Sequence, residues 1–234
     1  MNPLSFIYTE FLWRPLFNGL VLFYNILPWH DLGLAVVLLT VAVRAVSLPL
    51  TLKAQKAQKD LARIQPHIKK IQEDHKGNRE LQGKALMELY AEHRVNPFSG
   101  CLLILLQLPV LIALFQVFRG GLDASLLSYL YSFIANPGTI DPISLGILDL
   151  SRPSVPLGVV AAITQYFQSR LSMPPQPPEA NQFSKAMSWQ TQYIFPALLL
   201  VWAYTFPAAL ILYWTVSNIL GIVQEIAVRR FTIR

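Results

Sequence analysis

Arg44 is the residue whose type and position most demand a role. It stands inside the apolar run 31–52, and the other long apolar stretches, 97–118, 156–171, 190–205 and 207–224, hold no Asp or Glu to pair with it. On insertion scales an Arg at the centre of a membrane helix costs roughly 3 kcal/mol, so it is expected to face a partner or water and to bear a function. With no carboxylate at that depth, water is the expected neighbour. The alternative is a structural Arg that snorkels or bonds to backbone carbonyls.

Other chemistries find little support. An intramembrane protease needs a nucleophile and base, paired carboxylates or a metal at membrane depth. Here His30, His67, His75 and His93 all fall outside the apolar runs, and neither H-E-x-x-H nor G-x-S-x-G occurs. Cys101 is the lone cysteine, so no internal disulfide and no metal-ligand spacing arises. A small-solute transporter could use Arg44 as an anion site, but the acidic partners that couple a proton or sodium are missing. Neither catalysis nor a cofactor or metal is expected.

The elements that must position Arg44 are membrane spans. Of the 234 residues, 53% are hydrophobic and 14% charged, and the mean hydropathy is +0.42, against about 25% charged in ordinary globular proteins. Five apolar runs, near 31–52, 97–118, 156–171, 190–205 and 207–227, predict five spans in one all-α integral membrane domain, 31–228. Two of them have only 16 residues, about 24 Å of helix against a hydrocarbon core of roughly 30 Å, which predicts a locally thinned bilayer.

The charges orient these spans. If Lys53 opens an inside loop, the inside segments hold fifteen Lys and Arg and the outside ones three, Arg14, Arg119 and Arg152. That bias predicts the N-terminus outside and the C-terminus in the cytoplasm. The sequence pI near 9.5 then reflects a basic cytoplasmic face, and direct nucleic-acid binding is not expected. Residues 1–30 form a separate N-terminal segment. Its stretch 4–27 is rich in Leu, Phe, Tyr and Trp but is broken by Arg14, Pro15, Asn18, Gly19 and Asn25, which predicts an interfacial helix; a sixth span is the competing reading.

Residues 53–95 differ from the rest. They carry ten basic and six acidic residues, and Leu61, Ile64, Ile68 and Ile71 repeat with the spacing of a helix that packs on another helix. Gly77 and Asn78 break the run, and Leu81, Leu86 and Leu89 resume an apolar face, predicting a cytoplasmic helical hairpin. It is either a solvated, membrane-hugging basic loop or a docking site for a cytosolic partner. Residues 120–155 form the outer loop, with an apolar tract at 126–134. Pro174, Pro175, Pro177 and Pro178 predict a stiff extended linker, and 229–234 a short basic tail.

Several strings carry a specific resemblance: Val43-Arg44, Leu48-Pro49-Leu50-Thr51, Gln65-Pro66-His67-Ile68, Leu89-Tyr90, Asn96-Pro97-Phe98-Ser99-Gly100-Cys101, Gln107-Leu108-Pro109, and the run from Phe206 to Asn218. In order and spacing, from about residue 15 to 230, they resemble the YidC, Oxa and Albino membrane-insertase family. Ala209 stands where that family usually has Gly, and Trp214 where it often has Tyr.

The resemblance implies a protein of the bacterial inner (plasma) membrane that inserts newly made membrane proteins and helps them fold. The route is a hydrophilic groove open to the cytoplasm and to lipid, closed toward the outside, and driven without nucleotide hydrolysis. Arg44 matches the family's groove Arg. Thr40, one turn away on the same face, joins Gln107, Thr164, Gln165, Gln168, Trp214 and Ser217 as residues expected around the groove, with Asn218 beside them. For the hydroxyls and amides, bonding between helices, typically under about 2 kcal/mol each, is an equal reading. Thr40 and Gln165 are expected to be wetted from the cytoplasm. Nascent membrane proteins and the bilayer are the implied partners, and a Sec translocon and the ribosome the further ones. The sequence has no counterpart of the extra N-terminal span and large outside domain of longer relatives. Its tail is also shorter than the basic tails that some relatives offer to ribosomes.

Overall fold

The structure, a computed structural model, describes residues 3–96, 99–119, 124–173 and 182–232. Among the described residues the regular elements are helices, apart from one hairpin of two-residue strands. The proline linker, Pro97, Phe98, Gly120 to Asp123 and the last two residues of the tail lie outside the described residues.

The chain begins with α1 (Pro3–Tyr8), a π turn (Thr9–Trp13) and α2 (Arg14–Ile26), which run on as one helix. Pro15 has no N–H to give, and the turn ahead of it widens so that Arg14 N bonds Thr9 O. The same solution recurs before Pro196, where a π turn (Gln190–Ile194) joins α8 (Gln182–Trp189) to α9 (Phe195–Trp202). Between them lie α3 (Leu32–Arg63), α4 (Gln65–Asp74), α5 (Arg79–Glu92), α6 (Ser99–Arg119), strands β1 (Ile143–Ser144) and β2 (Leu148–Asp149), and α7 (Val155–Ser172). The chain closes with α10 (Ala208–Thr232). Among the described residues, α3 and Ala208–Arg230 hold windows long and apolar enough to cross a membrane, with mean hydropathies of 2.1 and 1.4.

Three boundaries differ from those read in the sequence. The helix of the first span does not stop at 52: α3 continues through Pro49 to Arg63, because the charged stretch after Leu52 is rich in the strong helix formers Lys, Gln and Ala. The fourth helical run starts at Gln182 and reaches Trp202, 21 residues or about 31 Å, the added turns carrying Gln182, Ser184, Lys185 and Ser188, while α7 has 18 residues, about 27 Å. Arg229 and Arg230 lie in the last turn of α10, where basic side chains favour the negative end of the helix dipole.

The core joins helices that the sequence divides. Trp13, Leu16, Phe17, Leu20, Val21 and Tyr24 of the N-terminal helix are buried in one cluster with Leu32, Ala35, Val36 and Leu39 of α3 and Ala113, Leu114 and Val117 of α6. The breakers Asn18 and Asn25 are used there. Asn18 accepts from Tyr131 N at 2.7 Å and donates to Tyr129 O at 3.1 Å, while Asn25 donates to Ala135 O at 2.6 Å, so the helix is stitched to the loop that follows α6. A second cluster packs α7 on α9 and α10 through Ala161, Leu199, Ala203 and Ile211. Gly158 makes that approach possible, since a Cβ there would overlap the Ala203 side chain.

The polar segment 53–95 folds as the end of α3 followed by a separate antiparallel pair. Its first arm breaks at Ile64, just ahead of Pro66, and Gly77, at φ +99°, makes the reversal while Asn78 caps α5 through Leu81 N at 3.1 Å. Leu61, Ile64, Ile68 and Ile71 converge on Leu86, Leu89, Tyr90 and Val95 in a small core of their own.

Candidate functional site

Two faces are available to build a site at mid-depth: the seam between α3 and α10, and the seam between α7 and α10. Arg44 lies where they meet. Its Nη2 donates to the backbone carbonyl of Ser217 on α10 at 2.5 Å. That carbonyl is within reach because Gly221, one turn on, has no side chain; a Cβ there would stand 3.3 Å from Arg44 Nη2 and 3.3 Å from Gln168 Cγ. Arg44, Gln168 and Gly221 thus converge from three helices. One neighbour of the guanidinium is therefore protein backbone, since a helical carbonyl keeps a second lone pair after its own ladder bond.

The remaining polar residues form two groups. On the α7 side, Gln165 accepts from Trp214 Nε1 at 3.0 Å, and Asn218 reaches Thr164 Oγ1 at 3.3 Å and Ala161 O at 3.4 Å. Gln168 donates to Ser172 Oγ at 3.2 Å. On the α6 side, Gln107 donates to the Tyr213 hydroxyl at 2.9 Å. Ser217 Oγ is buried near that phenol and lacks a hydrogen bond of ordinary geometry. Trp214 also stacks at an angle on Phe195 and Trp202, with centroids 5.4 and 5.6 Å away, and so ties α10 to α9.

Thr40 and Gln165, both expected to be wetted, are packed instead. Thr40 is fully buried, its hydroxyl donating to Val36 O at 2.6 Å, and Gln165 is 6% exposed with its amide oxygen on Trp214. A small hydroxyl one turn from Arg44 is accommodated by back-bonding its own helix, which removes the need for water. The open space lies elsewhere along the same helices. A groove of about 620 Å³ runs between α3 and α10, lined by Val41, Arg44, Ala45, Leu48, Leu220 and Val223 among others, with Gln224 its second polar residue. Its wall is mostly aliphatic, and Arg44 stands at one edge.

Sequence reasoning missed a polar cluster that joins α3, α7 and α10 beside this groove. Glu225 is 2% exposed, and its Oε1 is 3.0 Å from Arg229 Nε and 3.7 Å from Lys59 Nζ on α3, while Arg229 also donates to Leu171 O on α7. Beside it Gln224 donates to Gln55 Oε1 at 3.2 Å and Thr51 Oγ1 at 3.4 Å. The four-residue spacing of Glu225 and Arg229 was a legible signal. Gly221 and Tyr213 carry none in a single sequence. At the opposite end, Asp31 caps α3 through Leu34 N at 2.8 Å and accepts from Ser144 Oγ at 2.9 Å and Leu145 N at 2.5 Å. Among the described residues no cluster of His, Cys, Asp and Glu could hold a metal ion.

Comparisons with known proteins bear on what such a bundle does. The family model described as "60Kd inner membrane protein" matches residues 22–234. A membrane protein insertase YidC of Fusobacterium nucleatum is 31% identical over 195 residues, covering 83% of this chain and 84% of that protein. An insertase of the same name from Oleidesulfovibrio alaskensis is 34% identical over 96% of this chain but only 39% of its own length, and one from Syntrophobacter fumaroxidans 31% identical over 94% and 38%. Against several such relatives the chain therefore spans little more than a third of their length. The crystal structure of an active YidC insertase with its first transmembrane domain resolved superposes with a TM-score of 0.59 at 26% identity, over 91% of this chain and 46% of that one.

Proposed function

Because the chain belongs to the 60Kd inner membrane protein family, we propose that it is a membrane protein insertase, which takes up newly made membrane proteins and releases their helices into the bilayer. The observation that carries this reading is the match over residues 22–234, together with an Arg at membrane depth beside a groove between two spanning helices. It acts in the inner (plasma) membrane of a bacterial cell, with the N-terminus outside and the C-terminus in the cytoplasm, as the fifteen-to-three distribution of Lys and Arg supports. The working unit is the bundle 31–228 with its cytoplasmic hairpin 53–95; 1–30 is the N-terminal interfacial segment, packed on α3 and α6, and 229–234 is the basic end.

The chemistry required is solvation, and no covalent step is involved. Inserting a helix with a translocated tail means moving that tail across an apolar layer in which each unpaired polar group costs several kcal/mol. Arg44 spends one N–H on the Ser217 carbonyl, which leaves four donors and a full charge for acidic or polar groups of a passing tail. Gln107, Gln165, Gln168, Thr164, Thr40, Ser217 and Trp214 are the polar and aromatic residues of the helices around Arg44. The aliphatic wall of Val41, Leu48, Leu220 and Val223 accepts the apolar helix of the same substrate. Burial of that helix in lipid supplies the free energy, so neither nucleotide nor metal is needed. The hairpin receives the emerging chain, and a Sec translocon and the ribosome are the assemblies it would work beside. Purified protein in vesicles should insert a short membrane protein without nucleotide. Uptake of a small anion with no insertion would overturn the reading in favour of a transporter.

A further inference from the structure

The hairpin of β1 and β2 ends in a tip that exposes apolar side chains without covering anything in the molecule. From Pro142 to Leu148 there is no charge, and the one hydroxyl, Ser144, is turned inward onto Asp31. Ile143, Leu145 and Ile147 are exposed, Ile147 at 86%, and Trp29, two residues before Asp31, at 79%. Leu145 holds its place at φ +51°, a left-handed conformation that Gly or Asn would adopt at lower cost.

The position of this tip identifies its occupant. Asp31 is the N-cap of α3, and its carboxylate bonds Leu145 N and Ser144 Oγ directly, so the tip sits at the level where α3 begins. A spanning helix starts at the boundary between headgroups and hydrocarbon, where Trp and aliphatic side chains reach lipid while backbone polar groups stay hydrated. Farther along α3, Leu38 is also exposed. We infer that the β1–β2 tip is a lipid-binding element that inserts Leu145, Ile147 and Trp29 into the nearer leaflet. There it fixes the depth of α3 and, 13 residues or about 20 Å along the helix, the depth of Arg44. This rests on the reading of α3 as a membrane span.

The test uses the full chain in vesicles of phosphatidylethanolamine and phosphatidylglycerol, with Cys101→Ser as background and single cysteines carrying an environment-sensitive fluorophore. Three positions are compared: Ile147→Cys at the tip, Val46→Cys on the exposed face of α3, and Thr139→Cys on the exposed loop. The label at 147 should emit at shorter wavelength than the label at 139, be quenched by lipids carrying a shallow nitroxide, and resist aqueous iodide. Quenching by iodide at 147 while 46 is quenched by lipid overturns the inference and leaves α3 a span. Resistance to both quenchers at 147 would mean that protein covers the tip, which also overturns it. Iodide quenching at 46 as well as 147 would overturn both the inference and the span.

Discussion

Replacing Arg44 by Lys and by Ala separates its charge from its hydrogen-bond geometry. Two unit charges 4 Å apart attract by about 1 kcal/mol in water and about 4 kcal/mol at an effective dielectric of 20. Arg44→Ala should therefore slow insertion of substrates with acidic tails by roughly fivefold or more, and Arg44→Lys should retain most of the rate. Insertion assayed in vesicles with acidic and neutral tails of one substrate checks this, and unchanged rates for every acidic tail would contradict it. Gly33 offers a stability test: a Cβ there would collide with Ser144, which Asp31 holds in place. Gly33→Ala should cost about 1–3 kcal/mol, read as a lowered thermal midpoint of the purified protein. At this scale Arg44 was legible because an isolated charge in an apolar run has few explanations. Its backbone partner was not, because reach to the Ser217 carbonyl depends on the gap left by Gly221, and a glycine in sequence does not say what approaches it.

Helices were legible by periodicity, and their ends less so. Leu61, Ile64, Ile68 and Ile71 read as a packing face and are one, since Ile64 and Ile68 are buried against α5. The hairpin core is separate from the bundle core, so Ile64→Asp with Ile68→Asp should unfold the hairpin at a cost of several kcal/mol while the spans stay inserted. Limited proteolysis should then cut within 65–92 and leave a membrane-protected remainder; loss of the whole protein from the membrane would contradict this. The extension of α3 to Arg63 was hidden because hydrophobicity stops at Leu52 while helix propensity does not. That extension lets Lys59 meet Glu225. Glu225→Gln removes a buried charge from two partly exposed cations, which lowers the pair's worth through solvent screening; destabilisation of about 1–2 kcal/mol is expected by thermal or denaturant unfolding.

Across the whole molecule, the two ends of α3 are tied by different devices, and Arg44 hangs between them. Asp31 with Ser144 and Leu145 holds one end, and Lys59 with Glu225 the other. The sequence exposed the all-α class because long apolar runs in a membrane must satisfy their own backbone as helices. It did not expose the union of the N-terminal helix with α3 and α6, since Asn18 and Asn25 read as breakers until the loop backbone they serve is in place. In the proposed function a substrate helix passes along the groove between α3 and α10, next to Arg44. Photo-crosslinking of a stalled nascent membrane protein tests it most directly, with the probe at Leu48 or Val223 in the groove and at Val46, exposed on another face of α3, as the comparison. Strong adducts are expected from 48 and 223, weakening in Arg44→Ala for an acidic-tailed chain, and few from 46; equal adducts from all three positions, or none from the groove, would rule this path out.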